Sequence, residues 1–243
     1  MNTYQIHVDT AASSTVTPSG QATVTKIDNN PFNCTVILGN RHRAIRSVSL
    51  KNAQIPIGFY NIRAPYNTMN VNSTSYTITP GNYSINSLID AINSTITAPV
   101  GAFSVNGLLN TIQYASASSV ASMNVQPLSL LSFLGFTDGQ TGTTFYGVDS
   151  YIVNFDTYLN IWIENLGTSS LEPKQVTFKV PLEVGNGSIM HWSENKQHEE
   201  RVPVSDRSVR LDRLNIQVLD RFGNLINNNG IDWSFTIEID ANT

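Results

Sequence analysis

Residues 228–240, NNGIDWSFTIEID, place an apolar residue at every second position: Ile231, Trp233, Phe235, Ile237 and Ile239. A period of two is that of a β-strand, whose side chains alternate between faces, and a slip of one residue would turn the whole apolar set into water. The run therefore demands a sheet with one face held against a core, in fixed register. It reads as a strand buried mid-sheet, with those five residues inward and Asp232, Ser234, Thr236 and Glu238 outward.

The rest of the chain agrees with a strand-rich fold. Of 243 residues 40% are hydrophobic but only 13% charged, where a soluble domain typically has about 25% charged. Polarity rests on Asn, Ser and Thr, which favour turns and caps over helix interiors. Residues 34–39 (CTVILG) form a compact β-rich run. Residues 44–56 alternate Ile45, Val48 and Leu50 with a slip of phase after Ile45, the sequence mark of a bulge. Another change of phase falls near Asp212 and Arg213, between Val209 and Leu211 on one side and Leu214, Ile216 and Val218 on the other. In residues 158–164, Leu159, Ile161 and Ile163 face one way and Trp162 the other, as in a strand covered on both faces. The linker 221–230 is longer than a tight hairpin needs and suits a crossing between two sheets.

Helical periodicity is confined to two places. Ile85, Leu88, Ile89, Ile92 and Ile96 draw one stripe on a helix with Ser84 as its N-cap, expected as a lid on a sheet edge or end. PLSLLSFLGF, opened by Pro127 and closed by Gly135, predicts a second, shorter one. About eight strands without β-α-β alternation predict an all-β, two-sheet antiparallel sandwich, a single jelly roll with one or two short inserted helices. Residues 1–30 are too poor in apolar groups to build a core and read as an N-terminal arm ordered on assembly. Residues 31–243 read as one jelly-roll domain with a helical and loop insertion around 84–150.

No catalytic, cofactor-binding or metal-binding residue is nominated, and no cofactor is expected. His7, His42, His191 and His198 have no H-E-x-x-H, C-x-x-C or acidic Ca²⁺-loop pattern beside them, and the closest pair is seven apart. HWSENKQHEE gathers His191, His198, Glu194, Glu199 and Glu200, and reads as a solvated loop, with pH sensing at a subunit contact left open. No G-x-S-x-G or phosphate-binding glycine loop is present. Asp149, Asp156, Glu164 and Asp232 could be paired in many ways, so none is chosen. The aromatics Tyr66, Tyr114, Phe145 and Tyr146 fall in expected loops, where they would suit a glycan or receptor.

The formal net charge is −4, which gives no reason for a phosphate backbone to bind. Arg41, Arg43 and Arg46, and Arg201, Arg207, Arg210 and Arg213 with Asp206 and Asp212 between them, read as ion-pair or subunit-contact groups. Cys34, the only cysteine, excludes an internal disulfide. Neither a secretory leader nor a membrane span is read, so synthesis in the cytosol is expected and the five N-x-S/T matches at Asn33, Asn72, Asn82, Asn93 and Asn186 are taken as compositional.

Several segments together resemble a known family: RLDRLNIQVLDRFGNLINNNGIDWSFTIEI, SVSLKNAQIPIGFYNI, YTITPGNYSINSLIDAIN and LLSFLGF. They are similar to the penton-type single jelly-roll capsid proteins of virophages, polinton-like viruses and related large double-stranded DNA viruses. The most specific part is Leu214, Ile216, Val218, Asp220 and Gly223, then Asn229, Gly230, Asp232, Trp233, Ser234, Phe235 and Glu238. The resemblance implies a structural, non-enzymatic virion protein, made in the host cytoplasm and not secreted. Five copies would close the icosahedral vertex among double jelly-roll major capsid proteins. Minor capsid proteins and a host receptor would be further partners; direct nucleic-acid binding would not be expected. A jelly-roll receptor- or glycan-binding module of the spike or fibre type is the alternative. Residues 100–151 match the family less well.

Overall fold

The structure is a computed structural model that describes residues 2–11, 22–42, 44–96, 101–117, 120–164, 178–194, 201–203 and 211–241. In chain order its elements are β1 (Asn2–Asp9), β2 (Ala22–Ile27), β3 (Asn30–His42), β4 (Ile45–Pro56), β5 (Thr68–Val71), β6 (Thr74–Thr77), α1 (Ile85–Thr95), β7 (Ala102–Asn106), β8 (Thr111–Ala115) and β9 (Ala121–Asn124). There follow α2 (Leu130–Phe133), β10 (Thr141–Gly142), β11 (Thr144–Tyr146), β12 (Tyr158–Ile163), β13 (Phe178–Pro181), β14 (Ile189–Ser193), β15 (Arg201–Pro203), β16 (Leu211–Leu219) and β17 (Ser234–Ala241). They divide into two compact units, residues 1–59 with 156–243, and residues 60–155.

The first unit is a sandwich of two antiparallel sheets. One runs β1-β17-β4 and ends on β14 and β15, which pair with successive parts of β4; the other runs β13-β12-β16-β3-β2. From β3 onward the sandwich strands change sheet at every connection except β12 to β13 and β14 to β15. This crossing pattern is that of a jelly roll, with β2 added as an extra edge strand. The second unit is inserted between β4 and β12.

β17 lies between β1 and β4, with Ile237 opposite Ile6 and Leu50, and Phe235 opposite Val8 and Ala53. Trp233, Phe235, Ile237 and Ile239 are buried. Trp233 stacks on Phe235 at 4.5 Å, meets Phe32 of the other sheet edge-on at 5.7 Å, and donates its indole N–H to the Pro31 carbonyl at 2.8 Å. Ile231 departs from the expected pattern and is 44% exposed. The cause is a turn in which Asn228 accepts from the Ile231 N–H through its carbonyl and donates to the Ile231 carbonyl through its side chain, so that the strand begins only at Ser234.

Both expected bulges are present. Asp240 lies opposite Ser47 but Ala241 opposite Ile45, leaving Arg46 extra, and the β16–β3 register shifts between Leu211 and Arg213. The linker after β16 turns at Asp220, whose carboxylate accepts from the Phe222 and Asn224 N–H groups, and Ile226 then returns alongside Val218.

Two domain expectations need correction. An arm ordered only on assembly is expected for residues 1–30, yet β1 pairs with β17 and β2 with β3 within the chain. Edge strands need little apolar content: Ile6 and Val8 suffice for β1, and Ala22 and Val24 for β2. Thr10, fully buried, ties down the end of β1 by donating its N–H to the Trp233 carbonyl and accepting from the Trp233 N–H. Residues 12–21 lie outside the described residues. The insertion spans 60–155 rather than 84–150, because β5 pairs with both β6 and β9 and shares a core with the helices instead of joining the sandwich.

The insertion holds the sheets β10-β9-β5-β6 and β11-β8-β7. α1 begins in a capping box in which the Ser84 hydroxyl accepts from the Ser87 N–H and the Ser87 hydroxyl from the Ser84 N–H, and buries Leu88, Ile89 and Ile92 in the insertion's own core. Asn93 fastens it to β7, donating to the Phe103 carbonyl at 2.9 Å and accepting from the Phe103 N–H at 2.8 Å.

Candidate assembly surface

Alternation along the sandwich strands sends a second set of side chains away from the core. On the β1-β17-β4 sheet these form polar rows. Thr3 and Ser47 both donate to Asp240, at 2.8 and 3.1 Å, and His7 Nδ1 lies 3.1 Å from the Thr236 hydroxyl. Lys51 reaches Glu194 at 2.6 Å and Glu238 at 3.1 Å, and Gln5 donates to Glu238. Burial raises the Glu238 carboxyl, but the Gln5 amide and the Lys51 ammonium outweigh it and leave the group below the usual carboxylate range. For Lys51, burial works against the charge, and the two carboxylates overcome it and raise the ammonium.

The other sheet's outer face has a row from Thr35 through Asn215 to Glu164, in which Thr35 donates to Asn215 and Asn215 to Glu164. Ile37 is 51% exposed beside it, and the Lys179 ammonium sits 3.8 Å from the centre of the Tyr158 ring. One sheet ends in β1 at one edge and in β14 and β15 at the other; the second ends in β2 on the β1 side and in β13 at its opposite edge. Pro181 in β13 and Pro203 in β15 lack an N–H and so interrupt those edges as templates for indiscriminate pairing.

The residues singled out from sequence are scattered. His7 lies on β1 and His191 on β14, at opposite edges of one sheet, while His198, Glu199 and Glu200 fall outside the described residues. Glu194 is held by Lys51. Asp232 is held by Lys26 at 2.6 Å and by the Thr10 hydroxyl. Glu164 is held by Asn215 and Asp149 lies in the insertion, so each of these acids answers to its own surroundings. Among the described residues no three His, Cys, Asp or Glu side chains are gathered that could hold a metal ion, and no helix is long and apolar enough to cross a membrane.

Of the basic groups, Arg46 is exposed at its bulge and Arg213 stands 3.8 Å from Asp212. Arg207 and Arg210, with Asp206, lie outside the described residues, as does Arg43, and the side chains of Arg41 and Arg201 are likewise not described. Cys34 is fully buried, and desolvation, against the pull of nearby Lys26, pushes its thiol up to about 12. It behaves as a small core residue.

The loop aromatics need correction as well. Tyr66 and Tyr114 are fully buried and Phe145 is 9% exposed; only Tyr146, at 45%, presents a ring to solvent. Tyr114 packs between Phe103 and Phe145, at 4.9 and 5.3 Å, and so belongs to the core. The exposed apolar residues of the insertion are others, foremost Leu108 (98%) and Leu109 (64%) at the β7–β8 turn. Sequence reasoning passed over them because two adjacent leucines between strands look like core.

No protein-family profile matches the sequence, and no curated protein matches it. Among solved structures, the mavirus penton protein aligns over 99% of this chain and 100% of its own length, with a TM-score of 0.51 at 9% identity. The fold is a single jelly roll, as in that protein. A structure of the Sputnik virophage aligns over 99% of this chain and 98% of that one, with a TM-score of 0.43 at 10% identity.

Proposed function

We propose that this protein is a structural capsid subunit, a penton whose five copies close the icosahedral vertices of a double-stranded DNA virus. The observation that carries the proposal is the end-to-end alignment with the mavirus penton protein, insertion included. The sandwich suits the role physically. A five-membered ring needs two different lateral surfaces on each subunit, so that a repeated rotation closes. Opposite ends of the strand order, β1 and β2 at one and β13, β14 and β15 at the other, supply two such surfaces.

In this reading the protein acts by assembly, without catalysis, and resides at the virion vertex after synthesis in the host cytoplasm. Its neighbours are copies of itself and double jelly-roll major capsid proteins, with minor capsid proteins and a host receptor as further partners. The burial of Tyr66, Tyr114 and Phe145 removes most of the support for a glycan-binding module.

Negative-stain microscopy and light scattering of the purified protein, alone and with the major capsid protein, test the proposal. Fivefold rings, or monomers that enter particles at vertices, are expected. A protein that stays monomeric and never joins such a particle would refute it.

A further inference from the structure

The chain contains three Asn-Gly steps, Asn106-Gly107, Asn186-Gly187 and Asn229-Gly230. In each, the following nitrogen can reach the side-chain amide carbon to close a five-membered ring, and glycine leaves that nitrogen unobstructed. The folded protein treats the three differently. At Asn186 the attacking group is occupied, because the Gly187 N–H donates to the Ile57 carbonyl at 2.8 Å. At Asn229 the leaving group is held, because its side-chain amide donates to the Gly58 carbonyl at 2.7 Å.

Asn106 meets the reverse situation. It ends β7 at the exposed turn that carries Leu108 and Leu109, and its side-chain oxygen accepts from the N–H groups of both, at 3.2 and 3.3 Å. Two backbone donors thus point at the atom on which negative charge develops when the amide carbon becomes tetrahedral, the arrangement that stabilises such intermediates in acyl transfer. Neither the Asn106 side-chain NH₂ nor the Gly107 N–H has an acceptor among the described residues.

We infer that Asn106 is a self-modifying site, which converts in the folded protein to aspartate and isoaspartate. The Gly107 nitrogen loses its proton and bonds to the Asn106 amide carbon; the bond from that carbon to Nδ2 breaks and ammonia leaves, giving a cyclic imide. Water then opens the ring at either carbonyl. Breaking the new C–N bond yields aspartate, and breaking the original peptide C–N bond yields isoaspartate, with the chain rerouted through the side chain. In sum one water enters and one ammonia departs, with no oxidant or reductant.

The product matters because the insertion has so few charges: Arg63, Asp90, Asp138 and Asp149 are its only Asp, Glu, Lys or Arg residues. Conversion places a new carboxylate beside two exposed leucines, and isoaspartate adds a backbone atom to the turn. The inference does not depend on the capsid role.

The test keeps full-length protein at physiological temperature and neutral pH, with a parallel sample in denaturant. Both are sampled over weeks and mapped by mass spectrometry for a gain of about 1 Da and for isoaspartate at each step. In denaturant the three steps should convert within about threefold of one another; in the folded protein Asn106 should exceed Asn186 and Asn229 by about tenfold or more, and be no slower than in denaturant. Gly107→Ala, whose added Cβ would meet nothing within 4 Å, keeps the fold and should slow Asn106 by about tenfold. Folded-state conversion of Asn106 as slow as that of Asn229, or an unchanged rate in Gly107→Ala, would overturn the inference.

Discussion

On the outer faces of the sandwich polar side chains pair with one another across strands, whereas in the insertion side-chain amides bind backbone. In the sandwich Thr3 meets Asp240, Lys51 meets Glu194 and Glu238, and Lys26 meets Asp232. In the insertion Asn61 binds the backbone of Tyr83, Asn67 the Ile78 carbonyl, Asn72 the Ser122 N–H and Asn93 the backbone of Phe103. Regular strands pair their own backbone and can place charges outward. The short strands and turns of residues 60–155 leave backbone groups open, and an amide, being donor and acceptor at once, closes them without a charge. This accounts for a second core with only four charged residues around it.

The contrast would break first at Trp233. Trp233→Ser should remove about 3–5 kcal/mol of packing and also leave the Pro31 carbonyl without its partner, enough to exhaust the stability of a typical domain. Loss of soluble protein is the expected result, and soluble yield with a melting curve measures it. A normally folded variant that merely fails to assemble would mean that Trp233 serves an interface.

Phe103→Ala, in the other core, should cost about 3–5 kcal/mol as well, but with its damage confined to residues 60–155. Limited proteolysis and hydrogen exchange would register it. If β4 and β17 lost protection equally, the two cores would be a single cooperative body and the comparison would fail.

Ser84→Ala should cost about 1 kcal/mol by removing the cap of α1, read as faster amide exchange at Ser87 and Leu88. The smallest effect is expected at Lys51→Met, under about 1 kcal/mol at neutral pH and smaller in high salt. Glu238 has a lowered pKa, so its contribution is present above its unfolded value of 4.5 and lost as pH falls through the folded one. Lys51 has a raised pKa, so its contribution is complete below 10.5 and lost as pH rises through the folded value. Denaturant midpoints across pH should therefore show the mutant and the parent converging at both extremes.

Legibility from sequence follows the same division. The β17 alternation, the bulge at Arg46, the shift between Leu211 and Arg213 and the Ser84 cap each leave a local pattern, and each is found in the structure. β1 shows its alternation at Tyr4, Ile6 and Val8, but it and β2 read as an arm because an edge strand needs only a few buried side chains. The aromatics of the insertion misled for the opposite reason: Tyr66 between Pro65 and Asn67, and Tyr114 before a run of Ala and Ser, look like loop residues, yet both are fully buried. The surfaces proposed for assembly were the least legible, since their complementarity resides partly in another molecule.

The order of β1, β17 and β4 also sets a timetable for the nascent chain. Ile237 is made 187 residues after Leu50 and 231 after Ile6, so these two lack their cross-strand neighbour until it has left the ribosome. The described strands of the insertion pair with one another within residues 60–155, so these sheets can close while synthesis continues. During that interval an exposed half-sandwich must be kept from pairing with other chains, and the proposed assembly must wait until β17 has been threaded between β1 and β4.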